Sequence, residues 1–417
     1  MKPIVLAFLV SLAYLALAGI STLLAFSQAD AWTVWFANGL TLGLLLGLRR
    51  ALWPPVLAGV FVAALVFEWL IGSSVFDSFG YAVIELATAL LGAWLAALIA
   101  PLPLKLQSPR ELAAVLGGAL LMAFVGALVA GAWSLWSDSD PARTVFMVWF
   151  TSNLVGVLLI APLIVSWLQF RPKRSGGLPL SAFVSGGVAA LLFLGGLMLV
   201  FGAAAGLGLK SEFAYLPVLF LALVALAWGT RGATLVALLG ALLATASTVA
   251  GRGPFIGELA LPGDGVLEVQ VYAVAMSLTA LLVAVLSAEQ HRAWRAARDW
   301  QTRFEAAIGA HRLLAYEWDP LSGHLAITGD SQALLGVTPQ SLPTLADWLA
   351  RVSAGDRDRV NTRFELRAQG GDASDTLAYS LAGGNGAVLS VTDESRPIHD
   401  HDGALHRVVG IVRVAAA

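Results

Sequence analysis

Val266-Leu-Glu-Val-Gln-Val-Tyr-Ala-Val-Ala-Met-Ser-Leu-Thr-Ala-Leu-Leu-Val-Ala-Val-Leu-Ser287 runs into Ala288-Glu-Gln-His-Arg-Ala-Trp-Arg-Ala-Ala-Arg-Asp299 with no glycine or proline at the junction. The first half has the length and apolarity of a bilayer crossing, which takes about 20 residues. The second half is a charged helix former. Upstream of Ser287 the chain is a succession of long apolar runs, and downstream arginines and aspartates crowd in. One solvent gives way to another at this point. Only 12% of the 417 residues are charged and 58% are hydrophobic, against about 25% charged in ordinary soluble domains. The implied fold class is a multi-pass α-helical membrane bundle followed by a cytoplasmic α+β domain. The expected division is residues 1–288 in the bilayer, 289–310 as a connecting helix and 311–417 as the soluble domain.

Working back toward the N-terminus, ten stretches read as spans: Ile4–Phe26, Ala31–Leu48, Ala51–Ile71, Phe79–Ala100, Leu112–Trp133, Thr144–Leu168, Ser181–Phe201, Phe213–Trp228, Ala233–Ala250 and Val266–Ser287. The second and eighth are short, which makes eight the fallback count. The first apolar run is too long for a secretory signal, and no cleavage-type sequence follows it. Lys2, Arg49, Arg50, Lys105, Arg110, Arg171, Lys173, Arg174 and Arg231 fall on one side; Arg143, Lys210 and Arg252 fall on the other. Basic residues stay in the cytoplasm, so both termini are expected there, in a bacterial inner membrane. The opposite loops carry Asp30, Asp77, Asp138, Asp140 and Asp264. Trp32, Trp53, Trp69, Trp133, Trp167 and Trp228 lie near span ends, as an aromatic belt requires.

Ionisable residues at membrane depth are costly and therefore candidates for function. Glu68 and Glu85 flank the short outer loop Gly72–Ser78, where they would line a cavity or snorkel to the interface. Asn38 and Asn153 are the other deep polar groups, suited to an interhelical hydrogen bond or to ligand contact. Pro54, Pro55, Pro162 and Pro217 shape helix ends and kinks. Gly47-Leu-Arg-Arg-Ala51 and Gly229-Thr-Arg-Gly-Ala233 form a faint internal echo, each joining an inward span to an outward one.

Val34-Trp-Phe-Ala-Asn-Gly-Leu-Thr-Leu-Gly-Leu-Leu-Leu-Gly-Leu-Arg-Arg-Ala-Leu-Trp-Pro54 resembles the first class of bacterial membrane-associated sensor domains, the MASE type. Trp149-Phe-Thr-Ser-Asn through Pro162, Leu216-Pro217 through Trp228-Gly-Thr-Arg-Gly232, and Leu267-Glu-Val-Gln270 agree in the right order. Asn153 stands where that family would place an aspartate. The resemblance covers residues 1–290 and implies an input module that precedes PAS repeats and a cyclic-di-GMP enzyme or a histidine kinase.

Beyond the last span, Leu286, Gln290, Ala293, Ala297, Trp300, Phe304 and Ala307 step by four and three, a heptad seam. A signalling helix that pairs with a second copy is expected, so the chain should be a homodimer; a surface helix packed on the soluble domain is the other outcome. In the last hundred residues strands are expected at Leu313–Asp319, His324–Thr328, Thr376–Ala382, Ala387–Pro397 and Ala404–Val414. Helices are expected at Ser331–Leu335, Leu345–Val352 and Arg357–Arg367, with turns at Gly383–Gly386 and Asp400–Gly403. Tyr316-Glu-Trp-Asp-Pro-Leu-Ser-Gly323, Ala333-Leu-Leu-Gly336 and Asp402-Gly-Ala-Leu-His-Arg-Val-Val-Gly-Ile-Val412 resemble a PAS domain, although Ser353-Ala-Gly-Asp-Arg357 departs from its usual His-Pro-x-Asp-Arg motif.

The absence of cysteine removes disulfides, Cys-type zinc sites, iron–sulfur clusters and a thiol-linked flavin. His324, His399, His401 and His406 do not read as haem or metal ligands, and no cofactor is expected. The net charge of -2 gives no sign of a nucleic-acid partner. No cyclase, phosphodiesterase, phosphoacceptor or nucleotide-binding signature is visible, and the chain is not expected to be an enzyme. The expected role is a sensor that acts on a downstream effector domain or protein; a transporter with a regulatory PAS domain is the alternative. Its partners would be the lipid bilayer, a second copy and that effector.

Overall fold

A computed structural model describes residues 2–26, 31–137, 141–168, 170, 179–202, 211–255, 264–369, 376–402 and 405–415. Asp30, Asp138, Asp140, Arg171, Lys173, Arg174, Lys210, Gly403 and Ala404, all used in the sequence reading, lie outside the described residues. The chain divides into two compact units, Met1–Arg292 and Ala293–Ala417.

In the first unit, α1 (Pro3–Leu23) leads into a small hairpin, β1 (Ala25–Phe26) with β2 (Ala31–Trp32), and then into α2 (Phe36–Gly47). There follow α3 (Trp53–Leu70), α4 (Val75–Ile99), α5 (Pro109–Ser137), α6 (Ala142–Leu168), α7 (Leu180–Phe201), α8 (Val218–Val249) and α9 (Asp264–Ala310). Among the described residues, eight helices are long and apolar enough to cross a membrane. Eight is the fallback count, and the two expected stretches that do not span by themselves are the ones read as short, the second and the eighth.

The first of these contains α2, which has 12 residues, every one of them buried. At 1.5 Å per residue it extends about 18 Å, short of a hydrocarbon core of about 30 Å. It is a core helix sheathed by its neighbours, and its glycines explain how. A Cβ placed on Gly156 of α6 would sit 1.8 Å from the Trp35 carbonyl oxygen, and one on Gly39 would sit 2.4 Å from the Gly156 carbonyl oxygen. Small residues let helices close to backbone contact, which is how packing is gained in lipid.

The other belongs to α8, a single hydrogen-bonded element broken at Gly229, whose φ of 65° only glycine adopts freely. Pro217 approaches Gly196 and Trp228 approaches Gly186, whereas further along Gly240 approaches Phe193 and Gly253 approaches Phe201. The chain therefore runs against α7 before Gly229 and with it afterwards. The two expected segments are real, but the first is too short to span. Both Gly-x-Arg corners thus follow a short helix and open a long one. Pro54 and Pro55 sit in the first turn of α3, where a missing N–H costs nothing, and Pro162 lies within α6.

One end of the unit collects the basic corners. The Leu104 amide donates to the Leu46 carbonyl (2.9 Å), Gly47 lies against Leu168, and Arg231 Nε donates to the Ser166 carbonyl (3.0 Å).

The second unit carries the end of α9, then β3 (Leu313–Trp318), β4 (Leu325–Thr328), α10 (Ser331–Leu335), α11 (Leu345–Arg351), α12 (Arg357–Ala368), β5 (Leu377–Ala382), β6 (Val388–His399) and β7 (Leu405–Val414). The strands form one antiparallel sheet in the order β4-β3-β7-β6-β5. Alternation puts Leu314, Tyr316 and Trp318 of β3, Val391 of β6, and Val408 and Val412 of β7 in one core with Val360 and Phe364 of α12. Gly410 leaves room for the Tyr316 ring, whose Cζ would lie 2.4 Å from a Cβ there. Thr344 and Asp347 close a capping box on α11, and Gly336 ends α10 in the left-handed conformation.

Candidate functional site

At the end of the membrane unit away from the basic corners, the turn between α3 and α4 brings two carboxylates to one cavity. Glu68 stands in the last turn of α3, and Glu85 lies further along α4 than the expected loop implied, because that helix starts at Val75. An inner chamber of about 30 Å³ is lined by Tyr14, Trp32, Trp35, Ala64, Glu68, Tyr81, Ala82, Glu85, Trp149, Ser152 and Asn153. It adjoins an outer chamber of about 240 Å³, which shares Trp32, Glu68, Tyr81 and Trp149 and adds Ile71, Ser73, Asp77 and Thr144.

Glu85 is 5% exposed. Trp35 Nε1 donates to its Oε1 (2.9 Å), and the Tyr14 hydroxyl donates to its Oε2. Glu68 accepts from the Ser73 hydroxyl (2.6 Å), and Asp77 accepts from Trp133 Nε1 (3.1 Å) and the Ser74 hydroxyl (2.7 Å). All these donors are neutral. The aromatic walls are themselves paired: Trp32 with Trp35 (centroids 5.2 Å apart), Trp35 with Phe67 (5.2 Å) and Tyr81 with Trp149 (5.4 Å). Asn38 Nδ2 donates to Asn153 Oδ1 at 2.6 Å, a bond between α2 and α6; Asn153 also lines the inner chamber, whereas Asn38 does not.

The segment that carries two of the tryptophans is tied to α9. Gln270 Nε2 donates to the Thr33 carbonyl (2.8 Å), and the Ser277 hydroxyl donates to the Leu158 carbonyl (2.7 Å). Three of the four deep polar candidates thus line one cavity. Tyr14 was missed, although Tyr14, Ala18 and Ser21 recur at helical spacing on the buried side of α1.

The expected seam lies on α9. Leu286, Ala293, Ala297 and Trp300 are exposed; Phe304 is half-buried and stacks on Trp300 (5.2 Å, 8°). Both rings border a groove on the sheet's open face beside Glu394, Arg396 and Ile411, and Ile308, one turn on, is buried. At the C-terminal end of the seam only Phe304 is partly covered, and Ala307 is exposed.

Inside the sheet domain, Arg367 and Asp393 are both fully buried, with Nη1 and Oδ2 3.8 Å apart. The Tyr316 hydroxyl donates to both Asp393 oxygens (3.0 and 3.2 Å), and Trp348 Nε1 donates to the Tyr379 hydroxyl (3.0 Å). The Arg367 guanidinium lies 5.4 Å from the Phe364 ring centroid and has no hydrogen-bond partner among the described residues. Burial pushes the Asp393 carboxyl up to about 6 against the opposing pull of Arg367 and Tyr316, and burial with the Asp393 charge raises the Tyr316 phenol. This cluster went unseen in the sequence, yet strand alternation sets Asp393 in phase with buried Val391, and helical spacing sets Arg367 in phase with Val360 and Phe364. His324, His399, His401 and His406 are exposed, and no group of metal-ligating side chains occurs among the described residues.

A helical membrane unit with an acid-lined cavity, followed by an antiparallel α+β domain, defines a polytopic membrane protein with an appended sheet domain. The chain matches the MASE1 family over residues 4–291 and a PAS fold over residues 324–412. The protein belongs to the MASE1 family, and it is a membrane sensor module of signal transduction. No curated protein matches it. Among solved structures, it is similar to the N-terminal domain of a diguanylate cyclase with PAS/PAC sensor from Marinobacter aquaeolei, at 18% identity over 24% of this chain and 94% of that one, with a TM-score of 0.23. It is also similar to a sensory box histidine kinase/response regulator from Burkholderia thailandensis E264 (18% identity, 27% and 84% covered, TM-score 0.23). A third likeness is to a domain of a putative light and redox sensing histidine kinase from Haloarcula marismortui (15% identity, 28% and 99% covered, TM-score 0.22).

Proposed function

We propose that the cavity around Glu68 and Glu85 is the input site of this sensor, that it opens to the outer face of a bacterial inner membrane, and that both termini are cytoplasmic. The observation that carries this reading is the Gln270–Thr33 hydrogen bond, 2.8 Å long. It joins the wall holding Trp32 and Trp35 to the helix that leaves the membrane unit. An occupant that displaces those rings acts on α9 directly, without an intervening element. The exposed face around Leu286, Ala293, Ala297 and Trp300 serves a second copy of the chain, and the output is delivered by an effector domain or partner rather than by catalysis in these residues. A cyclic-di-GMP enzyme or a histidine kinase is the effector class in keeping with the named neighbours.

The test is a fusion of the full chain to a diguanylate cyclase reporter. Gln270→Leu should hold cyclic-di-GMP output at one level whatever changes at the cavity, and Trp149→Leu should shift the basal output. Unchanged output in both variants would rule out the cavity as the input. Orientation is read separately, because the chain has no cysteine. Ser73→Cys should react with a membrane-impermeant maleimide in intact spheroplasts, and His401→Cys only after permeabilisation.

A further inference from the structure

We infer that the cavity receives a primary ammonium ion, the amino group of a small organic amine. This deepens the reading of the cavity as the input site and rests on it. Three observations converge.

The first is charge. The ion pairs found among the described residues all lie between residues 317 and 407, and none involves Glu68, Asp77 or Glu85. Each oxygen of Glu85 meets a neutral donor, Tyr14 or Trp35. A counter-charge stabilises carboxylates taken from water, and this cavity gathers three with no base among its lining residues.

The second is the wall. Trp32, Trp35, Tyr81 and Trp149 line the inner chamber together with Glu68 and Glu85. Indoles and phenols attract cations through the ring quadrupole, more strongly where water is excluded. An anion would face both the carboxylates and the rings unfavourably. A neutral apolar ligand would leave the carboxylates uncompensated.

The third is size. The inner chamber, about 30 Å³, has room for a group of about one or two water volumes. An ammonium group fits there and brings three N–H donors to the carboxylates, which a trimethylammonium group lacks. The outer chamber of about 240 Å³ takes the body of the amine, with Asp77 on its wall. The geometry therefore favours primary over quaternary amines.

The experiment uses the full chain in lipid nanodiscs, with tryptophan fluorescence and thermal midpoint as readouts. The probes are putrescine and phenethylamine, with choline, butanol and butyrate as comparisons. Both primary amines should change the fluorescence saturably and raise the midpoint. Choline should bind at least tenfold more weakly, and butanol and butyrate should give no saturable change. Glu85→Gln and Glu68→Gln should each weaken putrescine at least tenfold. Glu68 is half-exposed, so its variant stays informative if the buried Glu85 variant fails to fold. Absence of saturation by either amine, equal binding of choline, or full affinity in Glu68→Gln would overturn the ammonium assignment. The reporter fusion keeps the two readings apart. If amines fail to bind while Trp149→Leu still shifts output, the ligand class is wrong and the input site stands. If amines bind and output ignores them, the ligand class stands and the input site falls.

Discussion

The Trp35 indole donates to the Glu85 carboxylate across 2.9 Å, joining residues 50 positions apart and fixing the N-terminus of α2 to the middle of α4. The same indole packs against Trp32 and Phe67. Trp35→Phe keeps an aromatic ring and removes the donor. A buried hydrogen bond contributes about 0.5–1.5 kcal/mol and about 1.5–3 where the acceptor is charged, so a loss of about 0.5–3 kcal/mol is expected in thermal unfolding of the reconstituted chain. Tyr14→Phe should cost a similar amount. The double variant should depart from additivity, because both donors serve one carboxylate.

Gly156 is the tightest point of the α2–α6 seam, since its Cβ would lie 1.8 Å from the Trp35 carbonyl oxygen. Backbone cannot yield as a side-chain tip can. Gly156→Val should lose at least about 3 kcal/mol, the upper range for overpacking, and should lower the yield of monodisperse protein on size exclusion. Gly195, whose Cβ would meet nothing within 4 Å, is the control: Gly195→Ala should leave that yield unchanged.

Arg367 and Asp393 share a site with no water-exposed surface. Removing one member of such a pair strands a buried charge, at a cost of about 3–5 kcal/mol, whereas exchanging both for apolar residues is often neutral. Arg367→Met should therefore sharply reduce hydrogen-exchange protection of β6 in the full chain. Arg367→Met with Asp393→Leu should restore most of it.

Asp393 also sets a pH dependence. Its folded carboxyl titrates near 6, above the ordinary value of 3.8. Between those values the folded state holds a proton that the unfolded state has released, so this contribution to stability falls as pH rises from about 4 to about 6 and is level above. Asp319 and Asp356 have the opposite sign. Hydrogen bonds from Ser322 and Leu321, and from Ser380 and Ser353, hold their carboxyls below the usual range, and their contributions are lost as pH falls through it. Exchange protection of β6, corrected for the intrinsic rate, should lose its slope between about pH 4 and 6 in Asp393→Asn and keep the acid-side loss.

Trp300 is 67% exposed on a helical face of small residues. Trp300→Glu should reduce crosslinking between copies through a cysteine placed at Ala297. Undiminished crosslinking would remove the seam as the contact between copies.

Legibility from sequence followed the reach of each physical signal. Apolar runs marked the long helices because lipid demands them, and alternation with Gly-rich turns marked the sheet. Length marked α2 and the first limb of α8 as the doubtful spans and gave the count of eight, but apolarity does not distinguish a helix facing lipid from one sheathed by protein, so their burial needed the fold. Glu68, Glu85 and Asn153 were legible as costly residues at depth, and a cavity was one expectation for the two glutamates, but the presence of Asn153 on its wall required the fold. Tyr14 and Gln270 were opaque for a different reason: neutral polar side chains in a membrane helix usually bond to whatever lies nearest, and nothing local reveals a partner 71 positions away for Tyr14 or 237 for Gln270.

The 47-residue α9 has no break between Asp264 and Ala310. In an unbroken α-helix length and angle are locked, since each added residue advances about 1.5 Å and turns about 100°. An insertion of seven residues near Arg295 would return the helix phase to within about 20°, and an insertion of two would shift that phase by about 200°. The helix thus counts in whole turns: insertions of about seven or eleven residues should leave output unchanged, and an insertion of one or two should abolish it.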